Sequence, residues 1–156
     1  MILARIVSGG QTGSDRGALD AALDCGFPCG GWCPEGRIAD DGVISAEYPV
    51  VELPGAGYRK RTIRNIVDSD GTVIFCHGEP IGGSSLTLRQ CQHLNKPHLV
   101  VDMLSVTQSD AAAFIHTWSE AHGIRVLNVA GPSEGRAPGT QEWVASAIRA
   151  LIAGSV

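Results

Sequence analysis

The chain is poor in aromatic residues, at 5% of its 156 positions, and charged residues reach only 18%. With a hydrophobic share of 44%, that balance excludes a disordered chain, whose composition leans the other way. No apolar run approaches the roughly 20 residues a membrane-spanning helix requires, so no membrane partner is expected. Positive charge is in deficit: the formal net charge is -4. That argues against a general nucleic-acid binder, which needs a basic surface to displace counterions. The opening Met1-Ile2-Leu3-Ala4-Arg5 carries neither a charged leader region nor a small-residue cleavage site. A cytoplasmic location with free thiols is therefore expected.

Several chemical signatures are also missing. The five histidines form no H-x-x-x-H pair, and no G-x-S-x-G elbow occurs. Cys25, Cys29 and Cys33 are spaced by four, unlike the paired C-x₂-C spacing of zinc sites. These thiols read first as buried or incidental, with a soft metal ligand as the minority alternative. His77 is the one histidine expected at a strand end facing a ligand site.

Glycine, by contrast, is plentiful, at 20 residues. It clusters in pairs between apolar runs, where a backbone must turn tightly or approach something closely. The runs alternate in character. Strands are predicted at 2–8, 27–32, 72–76, 98–102 and 124–129. Helices are predicted at 14–24, 58–68, 85–94, from an N-cap at Ser109 to a stop at Gly123, and from a cap at Thr140 onward. The helix from Ser109 is expected to place Ala111, Phe114, Ile115, Trp118, Ala121 and His122 on one face. The irregular segment 33–57 is expected to form an ordered flap over the ligand site. Strand and helix in alternation predict one domain over 1–156. Its fold class is α/β, a Rossmann-like doubly wound parallel sheet of about five strands with helices on both faces.

In such sheets ligands bind beyond the carboxyl ends of the strands. Two glycine loops fall there. The first, Ser8-Gly9-Gly10-Gln11-Thr12-Gly13-Ser14-Asp15-Arg16, joins a strand to a helix, where backbone N–H groups can face an anion. Ser8 replaces the first glycine of a dinucleotide fingerprint, and no Lys follows Gly13 as a Walker loop demands. The bland alternative is a tight turn in which Asp15 stabilises the first helical turn. The second loop, Gly82-Gly83-Ser84-Ser85, follows a strand expected to neighbour the first. Together the loops predict a paired cradle for a small phosphorylated ligand, with Ser84, Ser85 and Thr87 supplying hydroxyls. The alternative for Ser84 is an ordinary N-cap. The face carrying Arg61, Arg64, Asn65 and Asp68 is either solvated surface or part of the site. A pairing of its carboxylates with Arg16 stays open.

With those loops in place the chain resembles the molybdenum-cofactor carrier family, within the Rossmann-like group that includes lysine-decarboxylase-like phosphoribohydrolases. The resemblance rests on an ordered set of segments. They are Ser8 to Gly13 with Asp15-Arg16, Gly30 to Pro34 with Gly36-Arg37 and Asp41-Gly42, and Tyr58, Arg61-Thr62, Asn65 and Asp68 to Thr72. They continue with Gly82-Gly83 and Leu86-Thr87, Lys96-Pro97, and Leu127 to Pro132 with Pro138-Gly139. It implies a homo-oligomer, dimer or tetramer, that holds molybdenum cofactor (molybdopterin) or a nucleotide and passes cargo to cofactor-receiving enzymes. The binding residues it implies are Gly9, Gly10, Gln11, Thr12, Gly13, Asp15, Arg16, Trp32, Arg37, Arg61, Asn65, Gly82, Gly83, Ser84, Ser85, Thr87 and Asn128, with no metal ligand. Ser84-Ser85 and Ser133 depart from the family pattern, and Arg136 is the candidate to replace a charge at 133. The hydrolase cousins place a Glu directly after the second glycine loop. Here that stretch has none, which tilts the reading from enzyme to binder. A nucleoside-monophosphate N-glycosidic hydrolase would have to draw on Asp68, Asp70 or Glu79 instead.

Overall fold

The computed structural model describes residues 2–154. Five short strands form its central sheet: β1 (Arg5–Val7), β2 (Cys29–Gly30), β7 (Gly71–Cys76), β8 (His98–Asp102) and β9 (Val126–Ala130). All neighbours are parallel, in the spatial order β2-β1-β9-β7-β8. The fold is therefore α/β and Rossmann-like, as expected. Alternation along β7 assigns the two faces. Val73 and Phe75 join the main core with residues of α1 (Ser14–Asp24), α4 (Gln108–His122) and α5 (Thr140–Ala153). Ile74 points the other way, against Ile66 of α2 (Tyr58–Asp68) and Cys91 of α3 (Gly83–His93). Phe75 meets Trp143 edge to face at 5.9 Å between ring centroids.

The loops after β1 and β7 do not leave adjacent strands, contrary to expectation: β9 lies between them. The reason is handedness. The chain runs outward from β7 through α3 to β8, then returns through α4 to the far side of β7. Right-handed crossovers in opposite directions need helices on opposite faces. The chain leaving β7 thus turns to one face, and the chain leaving β9 turns to the other. A crevice opens between their carboxyl ends, which is the topological switch point.

Other boundaries shift for local reasons. The expected second strand breaks at Gly31 (φ 127°) into β2 and β3 (Trp32–Cys33). β3 pairs in parallel with β6 (Val51–Glu52). Segment 33–57 is ordered, with a 3₁₀ turn at Glu35–Arg37 and a hairpin of β4 (Ile38–Ala39) and β5 (Gly42–Val43). Its own small core joins Cys33, Ile44 and Val50 to Leu19 of α1. Arg37 staples this segment by donating to the carbonyls of Ile44, Ser45, Tyr48 and Val50.

α3 starts two residues early, at Gly83, with Gly82 rather than Ser84 at its N-cap. α4 is capped by Thr107, whose hydroxyl accepts from the Asp110 N–H, and not by Ser109. It buries Ala111, Ala112, Ile115 and Ser119, while Phe114, Ala121 and His122 are exposed. The cap of α5 is Gly139, and Thr140 donates its hydroxyl to Ala137 O instead. Among the described residues no helix is long and apolar enough to cross a membrane.

Candidate functional site

A cavity of about 280 Å³ opens at the β7/β9 switch point. Its walls come from Gly9 and Gln11 after β1, Asp15 at the start of α1, Asp40 of the flap, α2, Ile81 after β7, the start of α3, and Gly131 to Ser133 after β9. Of the residues expected from sequence, Gly9, Gln11, Asp15, Arg61, Asn65, Gly83, Ser84, Thr87 and Asn128 line it. Gly10, Thr12, Gly13, Arg16, Trp32, Arg37, Gly82 and Ser85 do not. Tyr58, Arg59 and Thr62 join the wall, and so do Asp40 and Arg136. Arg136 carried a sequence signal, as a displaced charge in a Gly-Pro loop. Asp40 carried none, because it reaches the site only through the flap.

The first glycine loop is wired from within. Asp15 is buried at the start of α1, and its carboxylate accepts from the Gln11 N–H at 3.2 Å. The Thr12 N–H donates to Gln11 Oε1, the Gly13 N–H to Gln141 Oε1, and the Ser14 N–H to Pro132 O. The Gln11 side chain also ties down the flap, donating to Asp40 Oδ1 and accepting from the Asp40 N–H. Arg16 is spent on the Asp41 carboxylate and Gly10 O, which leaves the pairing with Asp68 or Asp70 unmade. That hydrogen bond from Arg16 holds the Asp41 carboxyl below the usual carboxylate range. Burial pushes the Asp15 carboxyl up, against the opposing pull of Arg61, whose Nη2 stands 3.6 Å away. Arg61 lies flat on Gly9, where a Cβ would come within 2.6 Å of its Cζ. Its Nε is buried with no hydrogen-bond partner.

α2 is neither wholly solvated nor wholly committed to the site. Asn65 is buried and brackets Trp32, accepting from its N–H and donating to its carbonyl at 2.9 Å each. Asp68 accepts from Trp32 Nε1 and Arg64 Nε, and Arg64 sits 4.7 Å over the Trp32 ring. Asp70 accepts from the Arg125 and Val126 N–H groups. The three hydrolase candidates, Asp68, Asp70 and Glu79, all lie outside the cavity wall, and so does His77.

The second loop is wired differently. α3 has no side-chain cap and no acidic residue in its first turn. The Ser84 N–H donates to Ile81 O, and Thr87 turns its hydroxyl onto Gly83 O. The Arg136 guanidinium rests against Gly82, where a Cβ would come within 2.4 Å of its Nη1. Neither Arg136 nor Arg59 makes an ion pair or a side-chain hydrogen bond among the described residues. The described residues gather no group of three or more His, Cys, Asp or Glu able to hold a metal ion.

Fold and site together define a small parallel α/β protein with a polar, arginine-walled cavity at a switch point. Counted from β7 onward and continued from β9 into β1, the sheet reads second-first-third-fourth-fifth, the flavodoxin-like order with its chain ends relocated. A family model described as the circularly permutated YpsA SLOG family matches residues 6–152, and the chain belongs to that family. A crystal structure from Syntrophus aciditrophicus SB, of a protein named "putative molybdenum carrier protein", is 41% identical, with a TM-score of 0.93 over 97% of this chain and 96% of that one. No curated protein matches the chain.

Proposed function

We propose that the protein binds a phosphorylated small molecule in the switch-point cavity and carries it without chemical change, with molybdenum cofactor as the cargo. The observation behind this reading is a cavity wall bearing Arg59, Arg61 and Arg136 against the carboxylates of Asp15 and Asp40. The excess of cations at a helix N-terminus suits an anionic guest. The name of the Syntrophus relative supports the choice of cargo. A metal in such a guest would be held by the guest's own atoms, with the protein supplying hydrogen bonds, charge and shelter from water.

A nucleotide is the second reading, favoured by the strand order, since mononucleotides occupy this switch point in flavodoxin-like sheets. The carrier role extends to an oligomer that hands its cargo to a receiving enzyme. Native mass spectrometry of freshly purified protein tests these readings together. A retained phosphorylated pterin supports the carrier, and a retained nucleotide supports the second reading. If the purified protein retains neither, and binds neither when each is added at micromolar concentration, both readings fail.

A further inference from the structure

The cavity wall carries two carboxylates, and they are in different states. Asp15 is buried, takes the Gln11 N–H and faces Arg61, so it is engaged from within. Asp40 is exposed and reaches the wall from the flap. Among the described residues it has no cation within ion-pair distance, although Arg59, Arg61 and Arg136 line the same cavity. Its Oδ1 accepts one hydrogen bond, from Gln11 Nε2 at 3.1 Å. A carboxylate offers about four lone-pair directions on its two oxygens, so Oδ2 and one side of Oδ1 are left for a donor from elsewhere.

This acceptor is held in place. The Asp40 N–H donates to Gln11 Oε1 at 2.9 Å, and the next residue, Asp41, is gripped through both carboxylate oxygens by the buried Arg16. A group already positioned costs little ordering when a guest arrives. A carboxylate does not suit phosphate, since like charges repel. It suits a neutral ring edge with two adjacent N–H donors, which it can meet with both oxygens. Tyr58, Ile81 and Leu86 add wall that such a ring can cover.

We infer that Asp40 reads the ring of the guest and selects a 2-amino-4-oxopyrimidine edge, the ring N–H beside an exocyclic NH2 that pterins and guanine share. The inference rests on the reading of the cavity as a phosphate-ligand site and narrows it. Adenine sets one exocyclic N–H beside a ring-nitrogen lone pair, so it meets the carboxylate with one donor and one repulsion. Hypoxanthine keeps the ring N–H and lacks the amino group. A site built for two donors rejects rings that leave an acceptor unpaired. Asp40 is thereby a specificity-determining residue supplied by the flap.

The test is calorimetric titration of guanosine, inosine and adenosine monophosphates into the purified full chain. Affinity should fall in that order, with the guanine nucleotide about tenfold or more above the adenine one, the scale of one charge-assisted hydrogen bond. Asp40→Asn turns one acceptor into a donor, and the ratio should drop to about one or invert in favour of adenine. The ratio is read within each protein, so a general loss of affinity or stability does not imitate it. Glu47→Gln, on an exposed flap residue outside the cavity wall, should keep the parent's ratio. Equal affinities in the parent, or the parent's ratio preserved in Asp40→Asn, would overturn the inference while the phosphate-ligand site stands. The same change of ratio in Glu47→Gln would overturn it too, by assigning the effect to flap charge. If the parent binds none of the three, molybdenum cofactor is the probe: about tenfold weaker binding by Asp40→Asn supports the inference, and equal binding overturns it. A parent that binds no phosphorylated probe at all removes both the inference and the reading of the site.

Discussion

The two glycine loops look alike in sequence, each a strand, a glycine pair and a helix, yet they do opposite work in the fold. The Gly9–Gly13 turn is a knot. Its amides are consumed by Asp15, Gln11, Gln141 and Pro132, and through Gln11 it also fastens the flap. The Gly82–Gly83 turn is a platform. It has no side-chain cap, and an unpaired Arg136 stands on it. A glycine pair before a helix therefore does not by itself mark an anion site. What distinguishes the two is which groups hold the turn: side-chain acceptors take the Gln11, Thr12 and Gly13 N–H groups, whereas the Ser84 and Ser85 N–H groups donate to the Ile81 carbonyl.

Glycine substitutions separate a knot from a platform. Gly13 has φ 82°, and a Cβ there would strike Pro132 O and the Ser133–Glu134 peptide. Gly13→Ala should cost about 3 kcal/mol or more, combining left-handed strain with backbone overlap, and chemical denaturation would measure it. Gly83→Asp comes next. A carboxylate in the first turn of α3 is favourable for the helix, so the fold should keep its thermal midpoint. The same carboxylate would fill the proposed phosphate position, and phosphate-ligand affinity should fall by about tenfold or more.

The third effect is on pH dependence. Burial raises the Asp15 carboxyl above its ordinary value of 3.8, so the folded state holds that proton more tightly than the unfolded chain does. Stability from this group is greatest below 3.8 and declines as pH rises through the raised folded value. Asp15→Asn should flatten that limb in a series of denaturant titrations across acidic pH. The smallest effect belongs to Gly83→Ala. A Cβ at Gly83 meets nothing within 4 Å, so stability should move by no more than about 0.5 kcal/mol. A large loss there would show that the platform is as tightly built as the knot.

Much of this was legible in the sequence where the signal is local. The bounds of α1, α2 and β8 follow from apolar periodicity and flanking breakers, and they match the structure residue for residue. The position of β9 between β1 and β7 was not legible, because strand order depends on which face each crossover helix takes, and periodicity carries no such information. The site divides the same way. Gly9 and Gly83 could be placed from loop position alone, and Asn128 from the family resemblance. The fates of Arg16 and Arg37 could not, since Arg16 is claimed by Asp41, 25 positions away, and Arg37 by carbonyls of the folded flap. On α4 the face read from amphipathicity includes the core residues Ala111 and Ile115, but also Phe114, Ala121 and His122, which the fold leaves exposed.

Side-by-side calorimetric titration of molybdenum cofactor and adenosine monophosphate into the parent protein and Gly83→Asp bears most directly on the claim that the switch-point cavity is a phosphate-ligand site. One of the two should bind the parent at micromolar or tighter affinity and lose most of that binding in the variant, while both proteins melt at the same temperature. Undiminished binding by a folded Gly83→Asp, or no binding to the parent at all, would contradict it.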